Sequence, residues 1–237
     1  MKNNILLGIR FAVISIFFYF LTGCASTQNL DERDPWESFN RGVYNFNEAA
    51  DKVLIDPLTR VYDFITPDFI DNGISNMFSN IRQIPAIANA LLQFKFEKAA
   101  NDLLRFLINS TWGLLGFNDI IGSDLPKGGE DFGQTLAHWG VGTGPYLVLP
   151  FLGPSTLRDT AGFGVDSLMS PVIYLESDEL RTGLIGLNYI DFKSDLKSAK
   201  ELIGAAAVDQ YEFTKNAYFQ KREDQINDGA LTNFPEE

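Results

Sequence analysis

The chain has one cysteine, Cys24, in 237 residues. No internal disulfide is possible, so the fold has to be held by packing and by polar bonds between side chains. The pattern that can supply such packing is helical. Ile74, Met77, Phe78, Ile81 and Ile84 recur at helical spacing, with Asn76, Ser79, Asn80, Arg82 and Gln83 off that stripe. Pro85 is expected to kink or end this helix, and Ala88, Leu91 and Leu92 resume a stripe beyond it. A second segment sets Ala100, Leu103, Leu104, Leu107, Ile108 and Thr111 on one face, opposite Asn101, Asp102, Arg105 and Asn109. Phe106 and Trp112 lie off that apolar line, which points to a second apolar surface. A further helical region is expected over 194–222, with Leu196, Leu202 and Ile203 early and Tyr211, Tyr218 and Phe219 late.

The position of the cysteine matters as much as its solitude. Lys2 and Arg10 give a positive start, Phe11 to Leu21 is an apolar run interrupted only by Ser15, and Leu21-Thr22-Gly23-Cys24 follows. That order predicts a secretory signal peptide over 1–23. The apolar run is short against the roughly 20 residues needed to cross a bilayer. The terminal L-T-G-C resembles the lipobox of bacterial lipoproteins, whose cysteine takes a diacylglyceryl group and becomes the first residue. The resemblance implies lipid attachment at Cys24 and acyl anchoring (palmitate among the acyl groups expected), with 24–35 as a polar tether. One acyl chain anchors marginally, at about 0.8 kcal/mol per buried methylene, and two or more anchor stably. Ala25, where inner-membrane retention favours Asp, implies the outer membrane.

Composition excludes several partners. The formal charge is −12, and about −14 without the leader, which carries two basic residues and no acid. Such a chain is poorly suited to nucleic acid or to electrostatic docking on anionic lipid, so membrane contact would have to be apolar. Aromatics make up 13% of the residues, with 20 Phe; a Phe-rich core and an aromatic surface against lipid both fit. More than half of the 20 glycines fall between Gly113 and Gly164, together with Pro126, Pro145, Pro150 and Pro154. This stretch cannot be continuous helix, yet Leu136, Trp139, Val141 and the run Tyr146 to Leu152 make it apolar. Tyr146 to Leu149 is strand-like, but one run predicts no sheet. Residues 223–237 read as an acidic flexible tail. No mature segment has 18 consecutive apolar residues, and no series of alternating ten-residue segments predicts a barrel. The expectation is an all-α domain over 36–222 whose amphipathic helices lie in one leaflet.

Catalysis finds little support. His138 is the sole histidine, so a two-histidine metal site is excluded, and no G-x-S-x-G elbow presents a serine. No catalytic residue, metal or cofactor is expected. Ser155 or Thr156 reads as a helix cap ahead of Leu157-Arg158-Asp159. Gly140-Val141-Gly142-Thr143-Gly144 is followed by Pro145 and no Lys, and fails as a phosphate loop. Asp131, Asp159 and Asp166 are expected to cap helices and pair with arginines such as Arg105 and Arg158.

Several blocks together resemble one family. Asp34-Pro35-Trp36-Glu37-Ser38-Phe39-Asn40-Arg41 with Tyr44-Asn45-Phe46-Asn47, then Arg105-Phe106 with Asn109 and Gly113, resemble motifs of the MlaA (VacJ) outer-membrane lipoproteins. So do Phe132-Gly133-Gln134-Thr135-Leu136, His138 to Gly142, Gly144-Pro145-Tyr146, Leu149-Pro150 and Gly153 to Asp159. The resemblance runs from Asp34 to about Arg222. It implies a ring-shaped helical protein in the inner leaflet of the outer membrane, beside a porin trimer. Phospholipid straying into the outer leaflet would pass through a central channel to a soluble periplasmic carrier, which preserves lipid asymmetry. The glycine-rich loop, with Phe132, Gly133, Trp139, Gly140, Gly142, Gly144, Tyr146 and Leu149, would face and gate that channel. A porin-binding structural lipoprotein and, further off, a lipid-hydrolysing enzyme are the alternative readings.

Overall fold

The computed structural model describes residues 31–122, 124–125 and 129–229. The leader, Cys24 and residues 230–237 lie outside the described residues. Helix α1 (Glu37–Ala50) passes through a turn of π-helix (Asp51–Ile55) into α2 (Asp56–Ile65) without a break. Pro57 sits in the first turn of α2, directly after the π-turn, where the ladder changes from the wider to the α spacing. Thr66 is extended ahead of Pro67, the conformation proline favours in the residue before it, and the chain restarts as α3 (Asp68–Leu92). After a turn whose Phe94 has φ +60, α4 (Phe96–Thr111) packs along α3. Next come α5 (Phe132–His138), β1 (Tyr146–Leu149), β2 (Gly153–Thr156) and α6 (Leu157–Met169). A 3-10 turn (Pro171–Tyr174), α7 (Asp178–Ala206) and α8 (Gln210–Ile226) complete the chain.

The fold is mostly helical, as expected, with four departures. Pro85 does not end its helix: α3 runs through it to Leu92. The proline removes one ladder bond, but α3 is packed against α4, α5, α6 and α7, and these contacts keep the helix continuous. The run 146–149 does find a partner. β1 and β2 form an antiparallel hairpin pairing Tyr146 with Thr156 and Val148 with Pro154. The helical region expected over 194–222 is two helices, separated at 207–209, with Asp209 capping the second by accepting from Glu212 N at 3.1 Å. The fourth departure lies at the two ends. Within the stretch expected to be a tether, Asp34 is wholly buried and Tyr146 N donates to Arg33 O at 2.8 Å. Within the expected tail, α8 continues to Ile226, and Asp228 accepts from both Lys95 and Lys98.

A small aromatic core lies under the hairpin. Tyr146, Val148 and Tyr211 are buried together, with Val43, Tyr44, Tyr218 and Phe219 packed round them. Tyr146 meets Tyr211 and Phe219 with ring centroids 6.2 and 5.6 Å apart. Elsewhere the interior is polar. Buried polar residues outnumber buried apolar ones among the described residues.

Candidate functional site

The α3–α4 pair shows how the polar interior is built. Asp102, Arg105 and Asn109, one turn apart on α4, are buried, while Leu103, Leu104 and Leu107 are exposed. On α3 the buried positions include Asn80, Gln83 and Asn89, and Ile74, Met77, Ile81 and Ile84 are only half-buried. The apolar line read from sequence on α4 is thus the outer face. Many of the buried polar groups bond one another, although Asn80 Oδ1 and Gln83 Oε1 find no hydrogen-bond partner among the described residues. Asn80 Nδ2 donates to Ser110 Oγ at 2.8 Å. The Arg105 guanidinium donates to Gly122 O at 3.0 Å, to Leu125 O at 2.8 Å and to Asp119, and Asn109 Nδ2 also donates to Asp119 at 2.9 Å. A narrow polar pocket remains between the helices, lined by Asn76, Ser79, Asn80, Gln83, Arg105, Asn109 and Asp119.

The glycine-rich segment sits at one end of this interior. Asp131 caps α5, its carboxylate accepting from Gln134 N at 2.9 Å. Phe132 and Trp139 bracket the helix and meet edge to face at 6.2 Å. Trp139 is 51% exposed, and its Nε1 donates to Leu92 O at 3.2 Å, tying the loop to the end of α3. Gly140 and Gly144 have φ of +84 and +69, a region that favours glycine. Gly142 has ordinary φ, and a Cβ there would meet nothing within 4 Å. Leu149 is half-buried at the end of β1. Two residues expected to line the loop are placed otherwise. Tyr146 is fully buried in the aromatic core, because the hairpin turns its side chain under the sheet. Gly133 is buried where α5 meets α6, against Gly162, Asp159 and Arg222. Both are anchors of the segment rather than part of its surface.

Arg222 of α8 ties this region together. It donates to Asp131 through both terminal nitrogens and to Asp159 at 2.9 Å. Asp159 also accepts from Arg158 Nε at 3.0 Å and from the Tyr218 hydroxyl. Burial pushes the Asp159 carboxyl up, but Arg222, Tyr218 and Arg158 outweigh it and hold it below the usual range. Asp166 goes the other way: burial raises it, and the bonds from Phe132 N and Asn89 do not fully compensate. Of the arginine pairings expected of these aspartates, that of Arg158 with Asp159 is present; the partner shared by Asp131 and Asp159 is Arg222, and Arg105 serves Asp119 instead. The capping role expected for Thr156 is met, since its hydroxyl accepts from Asp159 N at 3.2 Å. Ser155 Oγ lies 2.9 Å from Thr160 Oγ1, occupied within its own turn, and His138 is exposed at the end of α5. A cleft of about 300 Å³ lies over the knot, lined by Asp131, Ser155, Asp159, Phe163, Tyr218 and Arg222 among others.

Two asparagines that sequence reasoning placed only inside a motif hold the hairpin edge. Asn40 Nδ2 donates to Tyr146 O at 3.0 Å, and Asn40 Oδ1 accepts from Val148 N at 2.9 Å. Asn47 Nδ2 donates to Leu149 O at 3.0 Å, and Asn47 Oδ1 accepts from Phe151 N at 2.7 Å. Their seven-residue spacing, two turns of one helix face, was the available signal.

The exterior is apolar where a water-soluble protein would be charged. Val53, Leu54, Leu58, Val61, Phe64 and Ile65 crowd the outside of the π-turn and α2, with Phe64 89% exposed. Leu103, Leu104 and Leu107 continue the surface on α4, and Trp112 (74% exposed), Leu114 and Leu115 project beyond its end. No helix among the described residues is long and apolar enough to cross a membrane.

The family model described as MlaA lipoprotein matches residues 32–225. The chain belongs to the MlaA family. An MlaA of Shigella flexneri, described as an intermembrane phospholipid transport system lipoprotein, is 33% identical over 230 residues, 94% of this chain and 91% of its own length. The MlaA of Escherichia coli K12 matches to the same extent. An uncharacterized protein of Rickettsia felis is 32% identical over 87% of this chain and 81% of its own. A solved structure, described as the structural basis for maintenance of bacterial outer membrane lipid asymmetry, superposes with a TM-score of 0.72 at 31% identity. It covers 82% of this chain and 99% of its own. MlaA proteins are lipoproteins named for phospholipid transport, not for a catalysed reaction.

Proposed function

We propose that this protein is an outer-membrane lipoprotein, anchored through acylated Cys24, that removes mislocalised phospholipid from the outer leaflet. The phospholipid passes through the protein to a soluble periplasmic carrier, and the outer membrane keeps its lipid asymmetry. The body rests in the inner leaflet beside a porin trimer, its helices arranged as a ring. The observation that carries this reading is the inverted polarity of α3 and α4: buried Asn80, Gln83, Arg105 and Asn109 against exposed Leu103, Leu104 and Leu107. A headgroup needs a polar path, and hydrocarbon outside favours an apolar wall. The names of the MlaA relatives point the same way. In this reading Phe132, Trp139, Gly140, Gly142, Gly144 and Leu149 form the gate, and Gly133 and Tyr146 anchor it.

The test is the amount of phospholipid exposed at the cell surface. Deleting the gene is expected to raise it, the wild-type protein to restore it, and Cys24→Ala to fail because the product is not acylated. Unchanged surface phospholipid in the deletion strain would leave a porin-bound structural role instead.

A further inference from the structure

We infer that Asn40 and Asn47 are positioning residues that together stand in for a third strand, and that Asn47 sets where the hairpin and its glycine loop rest. The inference rests on the proposed gate for its transport consequence, but not for its structural part. β1 is bonded to β2 on one side only. A strand edge left bare in the interior would carry unpaired N–H and C=O groups, each costing stability. Among the described residues no backbone strand covers that edge. Tyr146 N donates to Arg33 O, and Asn40 then pairs with Tyr146 O and Val148 N, as a strand residue would. Seven residues on, Asn47 offers the same donor–acceptor pair to Leu149 O and Phe151 N, one residue out of step with that edge, where the chain leaves β1 for the turn. An asparagine amide carries a donor and an acceptor side by side, which is the peptide's own pattern and which neither Asp nor Leu offers. The arrangement also explains Pro154 in β2. Opposite it stands Val148, whose N–H is turned to Asn40, so the missing proline N–H costs no ladder bond.

The two asparagines are not equivalent. Asn40 is wholly buried, and its Nδ2 also donates to Asp34 at 2.8 Å, so its loss orphans several groups in the core. Asn47 is also buried, at 7% exposure, but it holds the tip, where Phe151 is exposed with φ +64 and Phe46, itself exposed, packs edge to face on it at 5.4 Å. Water can replace Asn47 there without unfolding the core. Asn47 is therefore the releasable half of the clamp. Freeing it lets the hairpin tip move relative to α1 while Asn40 holds the root.

The test is Asn47→Ala in the full-length, acylated protein, with Asn45→Ala, an exposed neighbour on the same helix, as control. Hydrogen exchange of the purified protein in phospholipid vesicles reads the clamp. Two lost bonds predict exchange roughly tenfold faster in the peptide over 146–153, with α3 and α4 unchanged. Surface phospholipid in cells reads the consequence: it is expected to depart from wild type at equal protein amount, and not to do so in Asn45→Ala. Unchanged hairpin exchange in Asn47→Ala overturns the clamp. Faster exchange with wild-type surface phospholipid overturns its role in positioning the gate. If the deletion strain itself shows no phospholipid change, the transport reading fails, and the exchange data alone still decide the clamp.

Discussion

Two groups of glycines do different work, and single substitutions separate them. A Cβ on Gly162 would collide with the backbone of Gly133, and one on Gly133 would press on Arg222 and Asp159. Backbone cannot step aside, so Gly162→Ala should force α5 and α6 apart, costing about 1–3 kcal/mol and lowering the thermal midpoint and the amount of folded protein. Gly142→Ala meets nothing within 4 Å at ordinary φ and should stay within about 0.5 kcal/mol of wild type. Gly140→Ala, at φ +84 with open space around it, should cost about 1–2 kcal/mol of backbone strain. Thermal unfolding of the three purified variants checks the order. Equal losses at Gly162 and Gly142 would contradict it. The sequence makes this whole stretch look alike, because a glycine in a close approach and a glycine in an open loop are the same letter. What tells them apart is a neighbour far along the chain.

At the scale of elements, the Arg222 knot joins α5, α6 and α8. Asp159 is held below the usual carboxylate range, because Arg222, Tyr218 and Arg158 overcome the upward push of burial. A lowered pKa means stability that is full above the unfolded value near 4 and is lost as pH falls below it. Asp166, raised by burial, works in the opposite sense and recovers stability on acidification. Arg222→Met should destabilise the protein by about 3 kcal/mol at neutral pH, because it strands the buried Asp159 carboxylate. Its deficit against wild type should shrink as pH falls from about 5 to 3, where the Asp159 carboxylate protonates. Denaturant unfolding of both proteins across that range measures it; a deficit independent of pH would contradict the assignment. The caps of this region were legible, since Thr156 precedes its helix by one residue. Arg222 was not legible as the hub, because it is 91 residues from Asp131 and nothing local points to it. β2 was hidden for a related reason: Gly153-Pro154-Ser155-Thr156 has no alternation, and its proline is tolerated because Val148 and Pro154 are a pair whose backbone groups point away from the opposite strand.

At the scale of the molecule, the apolar stripes were legible but their direction was not. Periodicity says that two faces of a helix differ, not which one faces in. On α4 the expectation drawn from water-soluble proteins is reversed: arginine and asparagine are inside, and leucines are outside. Against water, each exposed apolar side chain forgoes about 1.5–3 kcal/mol of burial; against hydrocarbon that loss disappears. The acidic charge fits the same picture, since it leaves apolar contact as the means of holding the membrane. The most direct measurement is the accessibility of nitroxide labels in the acylated protein reconstituted in bilayers. Labels replacing Phe64, Leu104 and Leu114 should collide readily with oxygen and poorly with a water-soluble nickel complex, and a label replacing Lys221 should do the reverse. If the labels on α2, on α4 and beyond its end are as open to the nickel complex as the one at Lys221, the apolar exterior is not a lipid face and the account fails.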